Sequence, residues 1–235
     1  MNITQLLKNN SIVIVTHEYT TGPPHSLEKY CAGKVPKLLF ISHPFIFAHD
    51  TRSYYRIYDS LSVAPKIVRF VKFIQNQYIS VVKDIILTIV WVRSHGPYDI
   101  YIGVDGINTY TGIVLKKLGF VKRVVFYTID YIPKRFNNSI ANIFYLWIDK
   151  KAVERSDVVW NLSSAMTTMR EEHGSPRENN KKQIIVPVGT DIDIPQPKRA
   201  ERMRFHVAHM GHLNKKQGVQ LVIEEIPEII KKEPE

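Results

Sequence analysis

The chain has 235 residues, 44% of them hydrophobic, which suits one large folded domain, or one domain with part of a second, and argues against disorder throughout. A formal net charge of +10 points to phosphate-bearing partners or an anionic lipid surface. With no aromatic RNA-binding signature, zinc-finger spacing or arginine-rich repeat, no nucleic-acid partner is expected, and the lone cysteine, Cys31, excludes an internal disulfide framework and fits a reducing compartment.

The opening MNITQLLKNNS is too polar for a signal peptide, so a cytoplasmic start is expected. SIVIVTHEY and PKLLFISHPF read as two short buried strands, and GPPHSLEKYCAG between them has room for a glycine-led loop and a short helix. Residues 65–92, PKIVRFVKFIQNQYISVVKDIILTIVWV, carry no proline or glycine after Pro65 and read as a long helix buried against a sheet. Lys72 and Lys83 keep its uncharged stretches below the roughly 18–20 residues needed to cross hydrocarbon. Its bases Arg69, Lys72 and Lys83 leave a second role open, contact with anionic headgroups, which would make the protein peripheral at the inner face of a membrane.

YDIYIGVDG follows as a third strand and INTYTGIVLKKLG as a helix ended by Gly119. KRVVFYTI (122–129) is the next strand, 139–155 a helix, SDVVWNLSS a strand, AMTTMREEHG a helix and KQIIVPVG a strand. Strands alternating with helices, several of them apolar throughout, predict an α/β fold with a parallel sheet covered on both faces. Residues 1–189 form this lobe, 190–204 (TDIDIPQPKRAERMR) have the composition of a linker, and 205–235 begin a second domain, with FHVAHMGHL as a strand and NKKQGVQLVIEEIPEIIKK as a loop and helix.

In a parallel α/β sheet, ligands gather outside the carboxyl ends of the strands. The polar residues at those exits are His17 and Glu18, His43, Asp105, Asp130, and Ser163 with Ser164, all expected at one edge. A turn or cap role is the alternative for each, and Ser163 reads as an ordinary helix cap. Around Asp105, Gly103 and Gly106 permit close backbone approach, while Asn108 and Thr109 add short polar groups. In YTIDYIPKRF, Pro133 fixes a turn, Lys134 and Arg135 are suited to phosphate or carboxylate, and Asp130 to sugar hydroxyls. The plainer alternative there is a surface turn whose aspartate pairs with its own base, worth about 0–1 kcal/mol. YTTGPPH, with Gly22, reads as a ligand-facing loop, but neither a dinucleotide fingerprint nor a phosphate-binding loop is present. His17, His25, His43 and His49 show no metal-ligand spacing and read as local hydrogen-bonding residues, so neither a metal nor a cofactor is expected.

The run YDIYIGVDGINTYTGIVLKKLGFVKRVVFYTIDYIPKRF, then DKKAVERSDVVWNLSSAM, then IIVPVGTDID and MGHLNKKQGVQLVIE, resembles in chain order a glycosyltransferase of the two-lobed GT-B type, specifically the large retaining family 4. The similarity is continuous from residue 98 onward and weaker before it. It implies an N-terminal Rossmann-like acceptor lobe and the start of a C-terminal lobe that binds a nucleotide-sugar as donor substrate. Asp105 and Asp130 are then the catalytic candidates, and Gly22, His17, Asn108, Lys134 and Arg135 the substrate-binding ones. In that family the glycine-bearing loop after the first strand faces donor phosphates and acceptor, which here matches Thr21 and Gly22, with Pro23 and Pro24 where a second glycine is usual.

MGHLNKKQG matches the opening strand and loop of the donor lobe, where an arginine and a lysine commonly hold the diphosphate. Gly211 keeps its place, His212 stands at the arginine position and Gln217 at the lysine position, with Lys215 and Lys216 as neighbouring substitutes. The pair of glutamates that members carry deep in the second lobe does not occur in these 235 residues, so the resemblance implies a longer parent or a separately encoded C-terminal lobe. The expected activity is transfer of a sugar, with retention, to a sugar, a lipid-linked or another small-molecule acceptor. The alternative is a non-catalytic sugar-, lipid- or protein-binding module derived from such a lobe.

Overall fold

Runs of β-branched and aromatic residues that are apolar on both faces make strands that need cover from both sides, and the sheet of this protein is built from them. The computed structural model describes residues 3–18, 22–45, 48, 50–72, 76–188, 206–211, 213 and 215–232. The chain divides into two compact units, Met1–Gly189 and Thr190–Glu235.

The first unit opens with a short helix, α1 (Ile3–Lys8), that the sequence reading did not foresee. β1 (Ile12–Glu18), α2 (Pro23–Cys31) and β2 (Lys37–Pro44) follow, then β3 (Ser53–Asp59), β4 (Ile67–Val71), α3 (Gln77–His95), β5 (Tyr98–Val104) and α4 (Gly106–Lys117). The rest is β6 (Val121–Thr128), α5 (Ser139–Arg155), β7 (Val158–Asn161), α6 (Ser164–Glu172), a 3-10 turn at Arg177–Lys182 and β8 (Gln183–Ile185). Among the described residues the strands form one eight-stranded sheet in the order β4-β3-β2-β1-β5-β6-β7-β8. β2, β1, β5, β6, β7 and β8 run parallel, and β3 is antiparallel to both of its neighbours. This is the α/β architecture that the alternation of elements predicts, Rossmann-like as the resemblance implies, with β3 and β4 as an antiparallel extension that the sequence reading did not foresee.

Alternate residues of the central strands feed two cores. Val13, Val15, Leu39 and Ile41 pack against Trp91 and Val92 of α3 and Ile113 and Leu115 of α4. Ile12, Ile14, Leu38 and Phe40 face the other way, with Cys31 of α2. Each such side chain stabilises the fold by about 1.5–3 kcal/mol on burial. Glycine lets α4 lie unusually close to β5: a Cβ on Gly103 would come within 2.5 Å of the Thr109 backbone, and one on Gly112 within 2.3 Å of the Tyr101 ring. Gly119, past the end of α4, has φ +81°, the left-handed conformation of a helix terminator.

The continuous helix expected over 65–92 is corrected. Its first part is β4, which pairs with β3 through Ser53↔Val71 to Ile57↔Ile67, and the helix begins only at Gln77. Asn76 starts it by accepting hydrogen bonds from the backbone N–H groups of Tyr78 (3.0 Å) and Ile79 (3.2 Å). A short apolar run fits a strand as well as a helix, and pairing with β3 decides in favour of the strand. No described helix is long and apolar enough to cross a membrane.

In the second unit the strand expected over FHVAHMGHL is not formed at residues 206–210. A strand needs a partner to hydrogen-bond, and none of the described residues of this unit provides one. A 3-10 turn at Lys215–Gln217 and helix α7 (Val219–Lys232) do form, the helix carrying Pro227 inside it. Its apolar residues, among them Leu221, Ile223, Ile226 and Ile230, are exposed.

Candidate functional site

β1 is flanked by β2 on one side and β5 on the other, and the chain reaches them by connections that run in opposite directions along the sheet. The carboxyl ends of β1 and β5 therefore border the crevice where a doubly wound sheet binds its ligand. His17 lies at the end of β1, and Asp105 follows β5 directly. Across that gap His17 Nδ1 meets Asp105 Oδ2 at 2.8 Å.

Asp105 caps α4: its Oδ1 accepts from the Asn108 backbone N–H at 2.9 Å, and its Oδ2 accepts from Asn108 Nδ2 at 2.9 Å. Asn108 Nδ2 also donates to the Val104 carbonyl at 3.0 Å, and Thr109 Oγ1 donates to the Gly103 and Asp105 carbonyls at 2.9 and 2.7 Å. The Asp105 backbone stands at φ 78°, ψ 167°, a region that is essentially glycine's own and costs another residue about 1–3 kcal/mol. The contacts of the carboxylate and of the following turn offset that strain. Its side chain is 39% exposed, whereas that of His17 is only 9% exposed.

Behind His17 stands a group the sequence reading missed. Asp84, on α3, places Oδ2 at 3.4 Å from His17 Nε2, while its Oδ1 takes Lys83 Nζ at 2.9 Å and the Ser53 hydroxyl at 3.0 Å. His43 Nδ1 lies 3.1 Å from the same carboxylate, and its Nε2 meets Thr88 Oγ1 at 2.9 Å. Four charges thus alternate through the interior: Lys83 and His17 against Asp84 and Asp105. Burial alone would lower the His17 pKa, but Asp105 and Asp84 together raise it to about 10, so His17 is an imidazolium at neutral pH. Burial would raise the Asp84 carboxyl, and His17 and His43 outweigh it, holding Asp84 well below the usual carboxylate range. Burial dominates at His43, whose pKa is lowered, so that ring is neutral. The one signal for Asp84 in the sequence is that it is the only acid among residues 65–92.

A second polar group lies beside the first. Glu18 Oε2 meets His25 Nε2 at 2.5 Å, Glu18 Oε1 accepts from the Tyr54 hydroxyl at 3.1 Å, and His25 Nδ1 accepts from the Gly22 backbone N–H at 3.2 Å. Gly22, at the start of α2, is tied to the end of β1 in this way. Thr21 and His49 lie outside the described residues.

The structure thus brings His17, Asp105 and Asn108 together and ties Gly22 to the end of the same strand, β1. Asp130 leaves the end of β6 as expected but pairs with its own turn: Arg135 Nη1 and Nη2 donate to Asp130 Oδ1 and Oδ2 at 2.9 and 3.1 Å, near the Tyr145 ring. Lys134 is exposed. Ser163 occupies the cap position of α6, but its side chain makes no capping hydrogen bond. Of the four residues expected to hold donor phosphate, Gly211 and Lys215 are described and exposed, and the Lys216 backbone lies in the 3-10 turn. His212 lies outside the described residues. Among the described residues no group of three or more His, Cys, Asp or Glu side chains is arranged to hold a metal ion.

No protein-family model matches the chain, and no curated protein matches it. Among solved structures it is similar to Anabaena HepE in complex with UDP-glucose, with 13% identity and a TM-score of 0.49 over 78% of this chain and 45% of HepE. It is also similar to the catalytic domain of starch synthase IV from Arabidopsis thaliana bound to ADP and acarbose, with 11% identity and a TM-score of 0.49 over 77% of this chain and 52% of that one. The chain spans about half the length of each.

Proposed function

We propose that residues 1–189 are the acceptor lobe of a glycosyltransferase that moves a sugar, with retention, from a nucleotide-sugar to an acceptor, and that residues 205–235, after a linker at 190–204, open the donor lobe. The observation that carries the reading is the Asp105–His17 pair at the crevice between β1 and β5, 2.8 Å apart, in a chain whose motif order resembles family 4 from residue 98 onward. The half-exposed carboxylate of Asp105 is suited to accept hydrogen bonds from acceptor hydroxyls. The imidazolium beneath it fixes its orientation and balances its charge, so the group is organised before substrate arrives. Asn108 holds the same carboxylate from the helix side. A retaining transfer asks the acceptor side for placement and the donor side for stabilisation of the departing diphosphate. In this reading Gly211, His212, Lys215 and Lys216 serve the latter.

The test is transfer from a panel of nucleotide-sugars, by the chain alone and with a donor lobe supplied in trans. Asp105→Asn keeps the helix cap and removes the charge, and is expected to lower transfer about tenfold or more, equivalent to about 1.4 kcal/mol of lost transition-state interaction. Saturable binding of sugar or acceptor without turnover under every condition would leave a binding module instead. Unchanged rates for Asp105→Asn would remove Asp105 from the chemistry.

A further inference from the structure

Two histidines stand at the carboxyl end of β1, and their partners differ in kind. Both ring nitrogens of His17 face carboxylates, Asp105 and Asp84. His25, in the first turn of α2, has a carboxylate at one nitrogen only: its Nε2 lies 2.5 Å from Glu18 Oε2. Its Nδ1 accepts a hydrogen bond from the Gly22 backbone N–H at 3.2 Å. A backbone N–H can only donate, so Nδ1 is the bare nitrogen, and the one proton of the neutral ring sits on Nε2, toward Glu18. The His25 backbone N–H donates in return to the Gly22 carbonyl at 2.9 Å. The two residues are thus joined in both directions, as in a capping box, with histidine where glutamate or glutamine is usual and the Gly22 carbonyl in place of a cap side chain.

A second proton on this ring has to go to Nδ1, where it meets the Gly22 N–H donor to donor. Turning the ring over brings a carbon to that place and restores nothing. The Gly22 bond is therefore made by the neutral ring alone, while the surroundings favour the charged one. Glu18 on β1 and Glu28 on α2 are the acids that act on the ring, and Arg56 on β3 is taken up by Glu28 at 2.7 Å. Tyr54 of β3 donates to Glu18, and the Phe40 ring of β2 lies 5.2 Å from the imidazole. Burial would raise the Glu18 carboxyl, but His25, Ser42 and Tyr54 outweigh it and lower its pKa, so Glu18 stays a carboxylate when the ring takes its proton. Histidine is the side chain that ordinarily changes charge between about pH 8 and 5. We propose that His25 is a proton-operated latch on Gly22: neutral, it holds the glycine at the end of β1 that borders the crevice, and charged, it releases it. What Gly22 presents to the crevice then depends on pH, whereas His17, with a carboxylate at each nitrogen, stays fixed. The latch is a property of the free chain and does not rest on the glycosyltransferase reading.

The test is NMR of the full chain, with the Gly22 amide and the His25 ring followed from about pH 8 to about pH 5. Exchange of the Gly22 amide, corrected for its intrinsic pH dependence, is expected to become about tenfold or more faster as the ring titrates and with the same midpoint, while core amides such as those of Val13 and Leu39 stay protected. His25→Gln keeps an acceptor for Gly22 and a donor for Glu18 but takes up no proton, and is expected to hold the Gly22 protection flat with an unchanged melting curve. Glu18→Gln removes the charge that favours the imidazolium and is expected to move the release to lower pH. Gly22 protection that stays constant while His25 titrates would overturn the proposal, as would a ring that takes up no proton in this range or the same loss of protection in His25→Gln. Joint loss of protection at Gly22, Val13 and Leu39 would overturn it too, because the sheet and not the latch would then be opening.

Discussion

At His17 two opposed effects meet: burial disfavours the charged ring, and two carboxylates on different elements, Asp105 and Asp84, favour it and prevail. The ring keeps its proton in the folded protein to about pH 10 but releases it near 6.5 when unfolded. Its contribution to stability is therefore fully present below pH 6.5 and is lost as pH rises toward 10, because over that window the folded state binds the extra proton. Asp84 acts on the acid side: its lowered pKa adds stability that is fully present above the ordinary carboxylate range and is lost progressively as pH falls below that range toward the lowered folded value. Asp84→Asn should move the His17 titration, followed by NMR of the ring, to lower pH and flatten the decline of denaturant stability above pH 6.5. A His17 that titrates near 6.5 in the folded chain with both carboxylates in place would contradict the charge alternation described for this site.

Element by element, the parallel part of the sheet and helices α2, α4, α5 and α6 were legible in the sequence because each strand is a short apolar run closed by turn residues and those helices fall between turn signals, whereas α1, β3 and the start of α3 at Asn76 were not. His17, Asp105 and Asn108 were legible as candidates because exits from parallel strands converge on one edge. What escaped depends on contacts between distant elements. β4 is an edge strand whose identity rests on β3, and Asp84 sits in an apolar helix where nothing local announces a partner on β1. The same is true of Arg170 on α6, which is 1% exposed. It donates to Asp149 Oδ2 and Oδ1 at 2.8 and 3.0 Å, to Asn161 Oδ1 at 2.8 Å, to Thr128 Oγ1 at 2.9 Å and to Gln183 Oε1 at 3.2 Å. One guanidinium thus joins α6 to α5, β6, β7 and β8. Its planar fork cannot be replaced by an ammonium. Arg170→Ala, which strands Asp149 as a buried charge, is expected to destabilise the protein by about 3–5 kcal/mol. Arg170→Lys should recover only part of that in urea melts, and a melt of Arg170→Ala like that of the unsubstituted chain would show the cluster to be dispensable.

For the molecule as a whole, the division into Met1–Gly189 and Thr190–Glu235 joins two very different units in one chain. In the first, all eight strands of the sheet are in place, both faces of its centre are covered, and β8 is hydrogen-bonded to β7 from Val159↔Gln183 to Asn161↔Ile185. In the second, the described residues form one turn and one helix, α7, whose apolar side chains are exposed. A helix of that length has little stability in water unless an apolar face is buried, since isolated helices shorter than about 12–15 residues are marginal and Pro227 removes a backbone hydrogen bond from this one. A chain cut after Gly189 is therefore expected to melt cooperatively, near the temperature of the full chain, and to keep the elevated His17 titration. Residues 190–235 alone should show little helix by circular dichroism until a partner covers the Leu221–Ile230 face. Loss of cooperative melting in residues 1–189 would mean that the sheet depends on contacts from the second unit, and a stable helix in the isolated 190–235 segment would mean that α7 finds its own cover.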